Sequence, residues 1–329
     1  MRQKNRRFLL QAFALTIAQC SVKTSKAWKT EALKKRSKKV RAESGESVFV
    51  RSYRSNRIGN QMLGTIIGDI IGSAYEFSGY KSKTFTPLFH PKSRFTDDTI
   101  CTVGIAQALL DKADPATTLI AWCDRYAENG GWGRAFAQWF TASKPEPYGS
   151  WGNGGAMRVS PVGFLATSED AVITMSDAVT GITHNHPEAM ASAQAVALAV
   201  YWARHGVQAT EIQRRLVTRF DYPIHLTPDD IRPGYKRTER ASESVPQAIS
   251  CALHAVSYED AIRNAVSLGG DSDTIAAIAG GIAEALFGIP EEIKTEAWAY
   301  LPTDIRELTT RFYKKVTLSV PTPSSTLEG

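Results

Sequence analysis

Two stretches place aspartates beside threonines where a helix would begin. "FTDDT" holds Thr96, Asp97, Asp98 and Thr99, and "GGDSDT" holds Asp271, Asp273 and Thr274. Capping of backbone N–H groups accounts for one acid at each helix start. Two acids at each, both pairs beside threonine, exceed what capping needs. Carboxylates crowded in apolar surroundings raise one another's pKa and cost stability. A bound cation resolves that conflict. Asp, Glu and Thr supply only oxygen, which suits Mg²⁺ or Mn²⁺; zinc prefers His and Cys. The spacing alone is unspecific, because DD and DxD are common patterns.

Three further polar clusters stand in otherwise apolar sequence. "GDIIGSAYEF" adds Asp69 and Glu76. "GSWGNGGAMRVSPVG" carries glycines at 149, 152, 154 and 155. Such glycines let a ligand approach the backbone, and their amides can meet phosphate oxygens. No GK[ST] ends the loop and no GxGxxG is present. A tight turn between helices would also use these glycines. Trp151 reads either as core or as a stacking surface for a base or ribose. "THNHPEA" holds Thr183, His184 and His186. Paired histidines can bind a metal, but more often one caps a helix. With oxygen donors available elsewhere, His184 reads as a hydrogen-bond donor to substrate.

The elements that must position these groups read as helices. "QMLGTIIGDIIGSAYEF" has glycines on one close-packed face. "TDDTICTVGIAQALLDK" continues from polar residues into apolar positions at helical spacing. "DPATTLIAWCDRYAEN" opens on Asp and Pro, a favourable start. Further helices are expected at 131–142, 169–181, 187–205, 208–218, 245–256, 258–267 and 273–287, with another starting at Pro290. Few segments alternate as strands do, so the expectation is an all-α domain of about ten or more helices. Residues 219–244, with prolines, charges and Tyr235, read as a surface loop or insertion.

Charge divides the 329-residue chain unevenly. Residues 1–58 carry 16 Lys/Arg against three Asp/Glu, while the remainder carries 23 against 30. A basic arm therefore precedes a mildly acidic body, and nucleic acid is not expected as the body's main ligand. Residues 1–20 look somewhat like a signal peptide, but Gln11 interrupts the apolar run and no small-x-small cleavage site follows. A cytoplasmic protein is expected; export is the alternative if that segment is a signal. No run of about 18 apolar residues exists, so no spanning helix is expected. Cys20, Cys101, Cys123 and Cys251 form no CxxC pair, and the last three read as buried free thiols.

Taken in order, "GDIIGSAYEF", "FTDDT", "GSWGNGGAMRVSPVG", "THNHPEA" and "SLGGDSDTIAAIAGGIAEALFG" resemble the ADP-ribosylglycohydrolase family, in motif most like its bacterial dinitrogenase-reductase-activating members. They span about residues 62–290. The resemblance implies a single orthogonal all-α domain over about 59–315 with a central metal cleft, two Mg²⁺ ions (Mn²⁺ being possible) and hydrolysis of the bond joining ADP-ribose to a protein side chain, arginine before serine. Residue by residue it implies metal ligation by Thr96, Asp97, Asp98, Asp271, Asp273 and Thr274, with Asp273 bridging the ions. Glu76 matches an acid that some subfamilies place beside the metals, so Asp97 or Glu76 is the expected general base. Ser150, Trp151, Gly152, Asn153, Gly154 and Gly155 match the loop around the distal ribose and diphosphate, and His184 a histidine that contacts ADP-ribose. The expected partner is an ADP-ribosylated protein. Residues 1–58 and the loop at 219–244 have no identified counterpart, and 316–329 reads as a C-terminal tail. Because some relatives counter ADP-ribosylating toxins, one alternative is an immunity role, with residues 1–58 docking on a cognate ADP-ribosyltransferase. Others are a catalytically silent structural relative and a Mg²⁺-dependent hydrolase that releases AMP.

Overall fold

The computed structural model describes residues 62–318. Among them stand fifteen helices and no strand, so the all-α expectation is met. They are α1 (Leu63–Ser73), α2 (Asp97–Asp111), α3 (Pro115–Arg125), α4 (Arg134–Phe140), α5 (Gly154–Met157), α6 (Ser160–Leu165), α7 (Glu169–Thr180), α8 (Pro187–Arg204), α9 (Ala209–Phe220), α10 (Pro228–Ile231), α11 (Ala241–Leu253), α12 (Tyr258–Val266), α13 (Ser272–Phe287), α14 (Glu291–Trp298) and α15 (Thr303–Leu318). The basic arm, Cys20 and the tail beyond Leu318 lie outside the described residues. None of the described helices is long and apolar enough to cross a membrane. Cys101, Cys123 and Cys251 are buried and unbridged, as expected.

The centre of the domain is α13, buried along its whole length from Ser272 to Leu286. It packs against α1, α8, α11 and α12. A helix buried on all sides has to be small and apolar, and "IAAIAGGIAEAL" is both. Its closest partner is α1, which runs antiparallel to it. A Cβ on Gly64 would lie 2.4 Å from the Gly280 carbonyl oxygen, one on Gly68 2.0 Å from that of Ala276, and one on Gly72 2.6 Å from the Asp273 Cα. Glycine every fourth residue thus forms a seam on which the two backbones touch. The seam ends at Asp273 and so fixes the height at which α13 presents its acidic first turn.

The buried Glu284 near the other end of α13 accepts from the Gly64 N–H, one of the unpaired donors at the start of α1. Burial pushes its carboxyl up to about 8. Bounds of the expected helices differ little from those observed, except at α11 and in the segment before it, and α5, α6 and α15 stand where no helix is expected. The expected α11 starts at residue 245. The helix instead begins at Ala241, and Pro246 lies inside it. The 219–244 segment also holds α10, a single turn closed by a capping box between Thr227 and Asp230.

Candidate metal centre and substrate cleft

The first turns of α2 and α13 meet end to end at the mouth of α1. The Thr274 hydroxyl, on α13, donates to Asp98 Oδ2 of α2 at 3.2 Å. Asp98, Asp271, Asp273 and Thr274 are about 5% exposed or less. The capping alternative fails here in an informative way. Neither Thr96 nor Asp271, at the two N-cap positions, makes a side-chain cap bond. The cap of α2 comes from α1: Asp69, fully buried, accepts from the Thr96 N–H at 2.8 Å, the Thr99 N–H at 3.1 Å and both threonine hydroxyls at 2.5 Å. That releases Asp97 and Asp98 for other work. Asp97 turns sideways, and its Oδ1 accepts from the Gly131 N–H at 3.1 Å.

Five carboxylates therefore share one small volume, with Asp97 beside them. Asp69, Asp98 and Asp273 each bring an oxygen within 4.8 Å of the others, and so do Glu76, Asp271 and Asp273. Asp273 belongs to both groups. Burial and the crowded charge raise the acids together: Asp97 to about 7, Asp271 to about 6, and Asp98 and Asp273 well above the usual range. Asp98 Oδ1 is buried with no hydrogen-bond partner among the described residues. A buried carboxylate oxygen without a donor is costly. Orphaned oxygen, crowded negative charge and all-oxygen ligands together fit a hard divalent cation.

The glycine loop forms the opposite wall. Asn153 reaches across to donate from Nδ2 to Asp271 Oδ2 at 2.8 Å. Gly149 has φ +68°, and its N–H donates to Asn185 Oδ1. Ser150, Gly152, Asn153, Gly154 and His184 line a cleft of about 220 Å³, together with Glu76, Thr96, Asp97, Asp98, Asp271, Asp273 and Thr274. Two residues of the expected loop set do not line it. Trp151 is 52% exposed and contributes its carbonyl to the Ala241 N–H. Gly155 is buried beneath the loop, where a Cβ would meet Thr180 at 2.6 Å. His186 caps α8 by accepting from the Glu188 N–H, the cap role expected of one of the two histidines.

Several groups at the cleft were not singled out in the sequence. Residues 239–241, inside the expected surface loop, pair with 151–153: the Asn153 N–H donates to the Glu239 carbonyl and Gly152 bridges Arg240. That contact brings Arg237 over the acidic cluster. Its Nη2 reaches Glu76 Oε1 at 2.9 Å and Asp271 Oδ1 at 3.1 Å, and its Nη1 reaches Glu239 at 2.9 Å. Lys81 secures the same segment by donating to the Arg232 and Tyr235 carbonyls and to that of Leu268, just before the acidic turn. Arg158, at the end of the glycine loop, is fully buried and also lines the cleft.

The family model described as ADP-ribosylglycohydrolase matches residues 51–320. The ADP-ribosylarginine hydrolase Tri1 of Pseudomonas putida (strain GB-1) is 27% identical, over 74% of this chain and 75% of its own. The ADP-ribosyl-[dinitrogen reductase] glycohydrolase of Rhodospirillum rubrum is 26% identical, over 70% and 85%. A solved chain titled ADP-ribosylglycohydrolase-related protein complex superposes with a TM-score of 0.61 at 21% identity, covering 80% of this chain and 99% of that one, a likeness of fold.

Proposed function

We infer the reaction from family and geometry together, for this chain belongs to the ADP-ribosylglycohydrolase family, whose members are hydrolases that remove ADP-ribose. The reading is a Mg²⁺-dependent hydrolysis of the bond between C1″ of ADP-ribose and a modified protein side chain, arginine foremost. The observation that carries it is the orphaned Asp98 Oδ1 among six acids, facing a glycine loop and a buried histidine across one cleft.

Asp69, Asp98 and Asp273 would hold one ion, and Glu76, Asp271 and Asp273 a second, with the Thr274 hydroxyl beside them. Divalent ions bound there supply Lewis-acid polarisation of a water and of ribose hydroxyls. Asp97 takes the proton of the attacking water. It lines the cleft and is aimed by the Gly131 N–H, whereas Glu76 is engaged by Arg237. The C1″–acceptor bond breaks as the water oxygen bonds to C1″, and the acceptor leaves with the proton that Asp97 took from the water. Positive charge developing on the ribose is stabilised by the surrounding carboxylates. Ser150, the loop amides and His184 hold the diphosphate side.

Arginine is favoured because the cleft lining carries Glu76 and Glu239, both of which already engage a guanidinium, that of Arg237. The name of the Pseudomonas relative points the same way. A panel of arginine-, serine- and nucleic-acid-linked ADP-ribose, run with Mg²⁺ and with EDTA, tests both parts. Release of intact ADP-ribose from the arginine conjugate, suppressed by EDTA, is expected. Faster release from the serine conjugate overturns the acceptor assignment, and release indifferent to EDTA overturns the metal dependence.

A further inference from the structure

Arg158 is the largest fully buried side chain among the described residues, and it has no carboxylate partner. Its Nε and Nη1 make no hydrogen bond there. Nη2 donates to the Thr183 hydroxyl at 2.6 Å and more weakly to the Val179 carbonyl at 3.3 Å. The Phe136 ring lies 5.8 Å from the guanidinium carbon. An unpaired buried guanidinium costs several kcal/mol or more. What it does for the cleft follows from the chain of bonds beyond it.

Thr183 Oγ1 lies 2.7 Å from His184 Nδ1. A guanidinium nitrogen can only donate, so the threonine oxygen accepts from Arg158. The hydroxyl has one proton left to place, and the nearest acceptor is His184 Nδ1. Were Nδ1 itself protonated, the threonine proton would be buried with no acceptor. The satisfied arrangement runs from Arg158 through Thr183 to a bare Nδ1, and the imidazole proton then resides on Nε2. Burial and the Arg158 charge both disfavour a second proton on the ring. Nε2 points over the glycine loop: a Cβ on Gly154 would lie 2.9 Å from it, and one on Gly152 3.7 Å. The glycines leave that N–H open to the cleft.

We propose that Arg158 and Thr183 are positioning residues which lock His184 in the Nε2-protonated tautomer, so that it presents a fixed hydrogen-bond donor to an oxygen of the bound ADP-ribose. Only the ligand part rests on the function proposed above; the tautomer stands on the hydrogen bonds alone. The guanidinium does not touch substrate in this scheme. It orients the threonine hydroxyl and repels a second proton, in the way a carboxylate fixes a catalytic histidine but with opposite charge and direction.

The test is nitrogen NMR of histidine-labelled full-length protein, with the His184 signals assigned by their loss in His184→Gln, alongside calorimetric binding of free ADP-ribose. The wild type should show a bare Nδ1 and a protonated Nε2 at neutral pH. Thr183→Val should mix the tautomers and weaken ADP-ribose about tenfold, the worth of one hydrogen bond. Thr183→Ser, which keeps the hydroxyl, should restore both. A protonated Nδ1 in the wild type overturns the proposal outright, and that spectrum decides even if Thr183→Val fails to fold. Unchanged tautomer and affinity in a folded Thr183→Val also overturn it. Failure of the wild type to bind ADP-ribose would instead strike the proposed function, leaving the tautomer spectrum to judge the relay.

Discussion

Buried aspartates crowded at one cleft make the stability of the metal-free protein depend on pH in an unusual direction. Asp97 is raised from 3.8 to about 7, by burial first and by the Asp69 charge second. At about 1.4 kcal/mol per tenfold change in proton affinity, full ionisation of that group costs the fold about 4 kcal/mol. Asp271, raised to about 6, adds in the same sense, but neighbouring acids share the penalty and the two do not simply add. Because the folded pKa lies above the unfolded one, the native state holds protons that the unfolded chain has released. Stability therefore falls as pH rises from about 4 through 7.

Other groups act in this window without involving the ions. Glu284, raised to about 8, prolongs the fall. His184, lowered by burial, opposes it up to about pH 6.5. The difference between melting curves in Mg²⁺ and in EDTA cancels both. At pH 5 a cation must displace the proton of Asp271, raised to about 6, but at pH 7.5 it meets that carboxylate ionised. The stabilisation by Mg²⁺ should thus be about 1.4 kcal/mol larger at pH 7.5, or about 3–6 °C in Tm for a domain of this size. A Mg²⁺-minus-EDTA difference equal at the two pH values would refute the reasoning.

Three further outcomes follow from named contacts. Asp98→Asn removes one repelling charge, so it should raise the melting temperature in EDTA by a few degrees while losing most of the stabilisation by Mg²⁺; a mutant that melts lower in EDTA speaks against crowding. Gly68→Ala forces a Cβ to 2.0 Å from the Ala276 carbonyl oxygen, and urea unfolding should show a loss of about 3 kcal/mol or no folded protein at all. Arg237→Gln removes a partly exposed cation that contacts Glu76 and Asp271, with each pair worth about 1 kcal/mol or less. Calorimetry with Mn²⁺ should then show ion binding strengthened about tenfold or less, and weakened binding would contradict the account.

Sequence pattern carried much of this architecture because local rules dominate it. The glycine spacing 64, 68, 72 marks a close-packed face on α1, though not the helix that packs on it. Paired acids at two helix starts likewise pointed to a cation, because capping could not use them all. What stayed hidden depends on distant contacts. Asp69 was visible as a polar residue in an apolar helix, yet nothing local says that it caps α2 from outside. Arg237 and Glu239 sat in a segment whose prolines and charges read as surface. Only the two-residue pairing with 151–153 and the Lys81 clamp, both long-range, bring them to the cleft. Arg158 was part of a quoted motif, but a cation in "GGAMR" does not reveal that it is buried without a counter-ion. Trp151 read as core or as a stacking surface, and at 52% exposed it is not core.

The central claim is that the acidic cleft hydrolyses an ADP-ribosyl bond. The most direct measurement incubates the full-length protein with an ADP-ribosylarginine-bearing protein in Mg²⁺ and identifies the nucleotide released by mass. Intact ADP-ribose from the wild type, none in EDTA and none from the Asp97→Asn, Asp98→Asn double variant is the predicted result. Release of AMP, or full Mg²⁺-dependent release by the double variant, would contradict it.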